Sequence, residues 1–190
     1  VGSWSATYLQ TIPQPDRVLH CLDPQDASGM VPKEATFFHE SIIGNSLPKN
    51  FYDCVLILST IEHIGMPHYG QQPFADGDKL TLAEAWHLLK PDGLLIVTVP
   101  AGKSKTASWY RQYSPRDLAQ LFSNWRTEIT YWGYNGEKYV EIPEADVEHY
   151  DYRELDGVRF ISGNPNDFGA GALAGILARK LPPAPEDNQS

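Results

Sequence analysis

Two nearly unbroken apolar runs, Tyr52–Ser59 (YDCVLILS) and Leu94–Val99 (LLIVTV), constrain this chain most. A strand with one wet face alternates polar and apolar residues. Runs without alternation are expected of parallel strands covered on both faces. Between them, Leu82, Trp86 and Leu89 recur at helical spacing, Asp78 stands where an N-cap belongs, and Pro91-Asp92-Gly93 is expected to end the helix near Lys90. Strand, helix and strand in that order read as one βαβ unit.

The rest of the chain extends the pattern. Ser5–Ile12 reads as a helix with Tyr8, Leu9 and Ile12 on one face and Pro13 as its stop. Arg17–Leu22, ending in Asp23-Pro24, and Ala35–His39 read as strands. Ser114-Pro115 starts a capped helix with the apolar face Leu118, Leu121, Phe122 and Trp125, and Glu128–Trp132 and Ala172–Ala178 are late strands. The predicted fold is α/β: a doubly wound, mostly parallel Rossmann-like sheet with a late antiparallel strand. One domain is expected over residues 1–180, with a polar, proline-rich tail over 181–190. Between Asn135 and Gly171 lies an acidic, tyrosine-rich stretch, read as a solvated excursion or a lid.

With 190 residues, 42 % of them apolar, there is enough for one full core. The longest apolar stretch, Gly169–Ala178, is well short of the ~20 residues of a membrane helix. A net charge of −9 argues against nucleic acid and anionic membranes as partners. Cys21 and Cys54 sit in strand-like runs, as buried free thiols would, and a cytoplasmic protein is the expectation.

Ligands of open α/β sheets bind beyond the carboxyl ends of strands. Gly2 lies in a strand-to-helix turn, and Asp23 ends the next strand about twenty residues on, where nucleotide cofactors find a ribose-binding acid. A dinucleotide enzyme wants G-x-G-x-x-G, and Trp4 stands where its second glycine belongs. A nicotinamide-dependent enzyme is therefore the weaker reading.

The third cluster is more specific. The chain carries Phe51-Tyr52-Asp53-Cys54-Val55, then Glu62-His63, then Leu89-Lys90-Pro91-Asp92-Gly93 and an apolar strand. With one insertion in the first element, this resembles the F-D-x-V, E-H and L-K-P-x-G pattern of class I S-adenosylmethionine-dependent methyltransferases. A methyltransferase-like family of unknown function, with S-x-I-E-H-I-G, is a closer match. It is carried by Ser59, Ile61–Gly65, Tyr69-Gly70, Gly77-Asp78 and Arg111-Gln112-Tyr113. The resemblance covers Asp53 to Trp125 well and Val1 to Lys180 more loosely.

The resemblance implies S-adenosylmethionine as cofactor and a small-molecule acceptor, with an oxygen of a sugar or glycan precursor expected. Gly2, Ser3, Trp4 and Ser5 would line the methionine part, Asp23 the ribose, Glu40 or Ser41 the adenine, and Ser59 and Thr60 the sulfonium. His63 is the candidate base, and the alternative is a structural pair with Glu62. His68, Tyr69, Tyr110 and Arg111 are the candidate acceptor contacts. No metal is expected: His63, His68, Asp76 and Asp78 are a poor start for magnesium, which prefers oxygen ligands. The alternative function is a methyltransferase-like binding module without catalysis. In this fold the strand before the glycine turn is central, and only Val1 represents it here, so the first strand is expected to begin upstream of Val1.

Overall fold

The computed structural model describes residues 17–67, 72–152 and 169–180. The expected helix at Ser5–Ile12, the glycine turn, the central strand and the tail lie outside them. Two short strands, β1 (Leu19–Leu22) and β2 (Ala35–Phe38), pair in parallel. A five-stranded sheet holds β3 (Tyr52–Leu58), β4 (Leu89–Ala101), β7 (Trp125–Tyr134), β8 (Tyr139–Ile142) and β9 (Ala172–Lys180) in the order β3-β4-β9-β7-β8. The small strands β5 (Lys105–Thr106) and β6 (Arg111–Gln112) form a ribbon after β4. The two described α-helices are α1 (Gly77–Leu88) and α2 (Pro115–Leu121).

The larger sheet is mixed, which corrects the mostly parallel expectation. β3 and β4 are parallel, whereas β9 enters between β4 and β7 antiparallel to both, and β8 returns antiparallel along β7. The sequence of β9 explains its central place. Ala172, Ala174, Ile176 and Ala178 are fully buried on one face. On the other, a Cβ at Gly175 would lie 2.6 Å from the Trp132 ring, so the glycine makes room for that indole.

Several boundaries differ from the sequence expectation, among them α2, which stops at Leu121 so that Trp125, expected on its apolar face, opens β7 instead. The N-cap of α1 is Asp76, in the left-handed region (φ 58°), while Asp78 lies inside the first turn and is buried. Gly77 permits this start: a Cβ there would be 2.1 Å from the Ile64 carbonyl oxygen, so α1 begins in direct backbone contact with the turn after β3. At its other end α1 stops at Leu88, and Leu89 is already extended. Pro91-Asp92-Gly93 lies within β4 as an excursion, since Tyr52 faces Leu89 and Cys54 already faces Leu94. The buried face of α1 is therefore Leu82, Ala85 and Leu88, with Trp86 half-buried.

The α2 start follows the sequence. Ser114 Oγ accepts from the Asp117 amide and the Asp117 carboxylate accepts from the Ser114 amide, with Pro115 at the first helical position. In the described part of the acidic stretch beyond Asn135, β8 closes a hairpin at Asn135-Gly136 and Glu144–His149 forms a 3-10 turn.

Among the described residues, no backbone pairing joins β1–β2 to the larger sheet. The join is through side chains. His20 Nδ1 is 2.7 Å from the Tyr52 hydroxyl, and its ring stacks on Phe51 at 6.2 Å. The two strands β1 and β3 thus begin side by side. The main core fills the sheet faces with Ile57, Leu95, Val97, Val99 and Ile176, all fully buried. Cys21 and Cys54 are free thiols, and burial raises both above the usual thiol range.

Candidate functional site

The predicted cofactor residues that are described stand just past the ends of β1, β2 and β3. Asp23 closes β1; it is 5 % exposed, its amide donates to the Phe38 carbonyl, and its carboxylate accepts from the Gln25 amide at 2.9 Å. Ser59 follows β3 in the left-handed region (φ 44°). A serine there costs on the order of 1 kcal/mol, and such strain gathers where side chains must be aimed. The structure over-determines it. The Ser59 amide donates to the Thr98 carbonyl at 2.9 Å and approaches Thr98 Oγ1 at 3.0 Å. The sharp turn that follows is fixed by Thr60, whose hydroxyl donates to the Leu58 carbonyl.

Beyond β2 the geometry is less favourable to ligand contact. Glu40 Oε1 accepts from the Ser46 hydroxyl and Oε2 from the Ser46 amide, which holds its carboxyl below the usual range. Its role is to close a local turn. Ser41 Oγ accepts from the Ile43 amide at 3.2 Å and is exposed.

Past Ser59, the turn Ile61–His63 carries the Glu62-His63 pair. The His63 ring stacks on Trp109 with centroids 5.2 Å apart and planes within 6°. His63 Nδ1 is 2.8 Å from the Trp109 carbonyl oxygen, which can only accept, so Nδ1 carries a proton and the neutral ring has its lone pair on Nε2. That nitrogen lies 3.8 Å from Glu62 Oε1. Glu62 is 1 % exposed, and burial pushes its carboxyl up to about 8. The sequence identified the pair, but gave no sign that its acid is sealed in the core.

Arg111 and Tyr110 sit differently from their expected acceptor-facing roles. Tyr110 is fully buried, packed on Tyr152 with centroids 4.2 Å apart. Arg111 donates from one nitrogen to the Ile64 carbonyl at 2.8 Å and the Glu62 carbonyl at 3.5 Å, and its Nε lies 3.9 Å from Asp78. It braces the loop after β3 against the ribbon after β4. Tyr113 donates to Asp78 at 3.2 Å, and burial together with that carboxylate holds its phenol well above the ordinary range. His68, Tyr69 and the run Gly2 to Ser5 lie outside the described residues.

A cleft of about 910 Å³ opens between α1 and α2, lined by the apolar Leu82, Trp86 and Trp125 and by the charged Asp78, Arg111 and Lys105. Asp23, Ser59, Thr60 and His63 do not line it. Trp86 meets Trp125 edge-on at 4.9 Å, a core contact reaching this cleft. Among the described residues no group of three or more histidine, cysteine or acidic side chains is placed to hold a metal ion. Asp76 is ion-paired with Lys79.

For a nucleoside cofactor, a buried carboxylate at the β1 end and a strained, hydroxyl-bearing turn at the β3 end are a suitable donor and acceptor set, whereas Glu40 is already engaged. No protein-family model and no curated protein matches the sequence. Solved structures do match in fold. The 1,6-didemethyltoxoflavin-N1-methyltransferase of Burkholderia thailandensis, solved with 1,6-didemethyltoxoflavin and S-adenosylhomocysteine, is 13 % identical with a TM-score of 0.51 over 85 % of this chain. This chain spans 61 % of that enzyme's length. The N-methyltransferase NodS of Bradyrhizobium japonicum is 8 % identical, with a TM-score of 0.53 over 95 % of this chain and 83 % of that one. The [4+2]-cyclase SpnF is 13 % identical, with a TM-score of 0.52 over 92 % and 71 %. Likeness at these identities establishes the fold, and the cyclase illustrates that one fold hosts more than one reaction.

Proposed function

We propose that this chain, whose fold is that of S-adenosylmethionine-dependent methyltransferases, methylates a small molecule, with an oxygen of a sugar or glycan precursor as acceptor. The observation that carries the proposal is Ser59, strained at φ 44° at the end of β3 and pinned to Thr98, with the buried Asp23 closing β1. When bound, S-adenosylmethionine supplies a methyl group on a positively charged sulfonium. Asp23 accepts from the ribose hydroxyls, Ser59 and Thr60 line the reacting end, and Gly2, Ser3, Trp4 and Ser5 take the methionine part. With Glu40 engaged by Ser46, Ser41 is the better adenine contact.

Positioning supplies most of the acceleration for an in-line displacement. In the transfer the acceptor oxygen bonds the methyl carbon and the methyl–sulfur bond breaks with its electron pair left on sulfur. The hydroxyl proton passes to His63 Nε2, the lone-pair nitrogen of the neutral ring. Kinship with the S-x-I-E-H-I-G family, a cytoplasmic location and the acceptor roles of His68 and Tyr69 belong to the same proposal. Tyr110 and Arg111 enter it as wall and brace of the acceptor side.

A nitrogen acceptor is a second reading. It is favoured by N-methyltransferases among the fold matches and by the tie of His63 to Trp109, because an amine with a free lone pair needs no base. Radiolabelled methyl transfer into paired hydroxyl and amine acceptor sets tests both. Label in the hydroxyl set supports the first reading, label confined to amines supports the second, and cofactor binding with label in neither supports a non-catalytic binding module.

A further inference from the structure

Glu62 Oε2 has no hydrogen-bond partner among the described residues, and the side chain is sealed from solvent. The charged and titratable groups near it are His63 on its own turn, Tyr113 past the end of β6, and Arg111 of β6, which donates to the Glu62 carbonyl and pairs with Asp78 of α1. Arg111 is no counter-ion for it, because its guanidinium pairs with Asp78 and donates to two backbone carbonyls. Among the described residues, the ion-pair partner within reach of the Glu62 carboxyl is His63, Oε1 to Nε2 at 3.8 Å. That is an ion-pair distance and about 0.6–1 Å beyond hydrogen-bond length, so a side-chain closure of that size completes the bond.

We propose that Glu62 and His63 hold a single proton in common, between Oε1 and Nε2, and that Glu62 is the positioning residue which decides when His63 can act as a base. A proton on the carboxyl is directed at the Nε2 lone pair, and a proton on Nε2 occupies the lone pair itself. In either arrangement His63 has nothing to offer an acceptor hydroxyl until the pair releases its proton. The bare alternative, a carboxylate beside a neutral ring, leaves an uncompensated charge in the core and is strongly unfavourable. Burial holds Glu62 protonated up to about pH 8, so the pair becomes a base near there and not in the ordinary imidazole range of about 6.5. This inference rests on the reading of His63 as the proton acceptor.

The test begins on the ligand-free protein, where methyl transfer plays no part. Nitrogen shifts of the His63 ring and the carboxyl carbon shift of Glu62 are followed by NMR from pH 5 to 10. One shared step near pH 8 at both residues, with the proton-bearing Nδ1 unchanged, is expected. Separate steps, or His63 titrating as an ordinary imidazole, overturn the proposal. In Glu62→Gln the step is expected to vanish. With an accepted hydroxyl substrate, the alkaline-rising limb of the rate should move down by more than one pH unit, a tenfold or greater gain at pH 6.5. An unmoved limb overturns the positioning role. A shared step in a protein that methylates no hydroxyl supports the pair and overturns the oxygen-acceptor reading instead.

Discussion

Replacing Glu62 by glutamine should stabilise the protein by an amount that grows with pH. Burial raises the carboxyl from 4.5 to about 8 in the folded chain. Between those values the folded wild type keeps a proton that the unfolded chain has released. Stability is therefore greatest below 4.5, falls as pH rises, and levels off above about 8. A shift of that size corresponds to about 5 kcal/mol over the window, or about 1.4 kcal/mol per pH unit. Glutamine has nearly the same shape and does not titrate, so Glu62→Gln removes the slope and leaves at most a constant offset from its amide. Urea denaturation of both proteins at pH 5, 6, 7, 8 and 9 measures the difference. It should rise steadily to pH 8 and then flatten. A difference constant from pH 5 to 8 refutes the claim that Glu62 is a buried neutral acid.

Two further substitutions probe the frame around the site. Gly77→Ala sets a Cβ 2.1 Å from the Ile64 carbonyl oxygen, which must push α1 away from the turn carrying Glu62 and His63. A loss of about 3 kcal/mol in urea denaturation is expected, and a loss below about 1 kcal/mol contradicts the close approach. Ser59→Gly relieves the left-handed backbone, at the loss of a weak hydroxyl contact of 3.4 Å to Thr98. It should raise stability by about 0.5–1 kcal/mol while weakening cofactor binding, and a drop in stability denies that Ser59 is strained.

Much of the frame was legible because local chemistry and tertiary packing agree. Tyr52–Leu58 and the Leu94–Val99 part of β4 bury Val55, Ile57, Leu95, Val97 and Val99 on one face and half-bury most of the other, as their nearly unbroken apolar runs indicate. Ser114-Pro115 with Asp117 is a helix start whatever surrounds it. Where the two disagree, sequence reading fell short. Asp78 resembles a cap in isolation, yet the helix start is set by the contact of Gly77 with a turn twelve or more residues earlier. Pro91-Asp92-Gly93 looks like a helix stop, but cross-strand pairing with Tyr52 draws Leu89 into the sheet before it. Asn135-Gly136 between Tyr131–Tyr134 and Tyr139–Ile142 was a readable hairpin signal, masked by the acidic residues around it. The candidate site divides in the same way. Asp23, Ser59 and Thr60 follow from strand ends, whereas the burial of Glu62, the stacking of His63 on Trp109 and the bracing role of Arg111 depend on how separate loops meet.

The most direct measurement is isothermal titration of the folded protein, spanning the whole domain, with S-adenosylmethionine, run beside Asp23→Asn. The asparagine still accepts from the Gln25 amide, so the β1 end keeps its turn. Saturable binding near one equivalent, weakened about tenfold by loss of the carboxylate charge, is the expected result. No heat of binding, together with no rise in melting temperature at millimolar cofactor, contradicts the account.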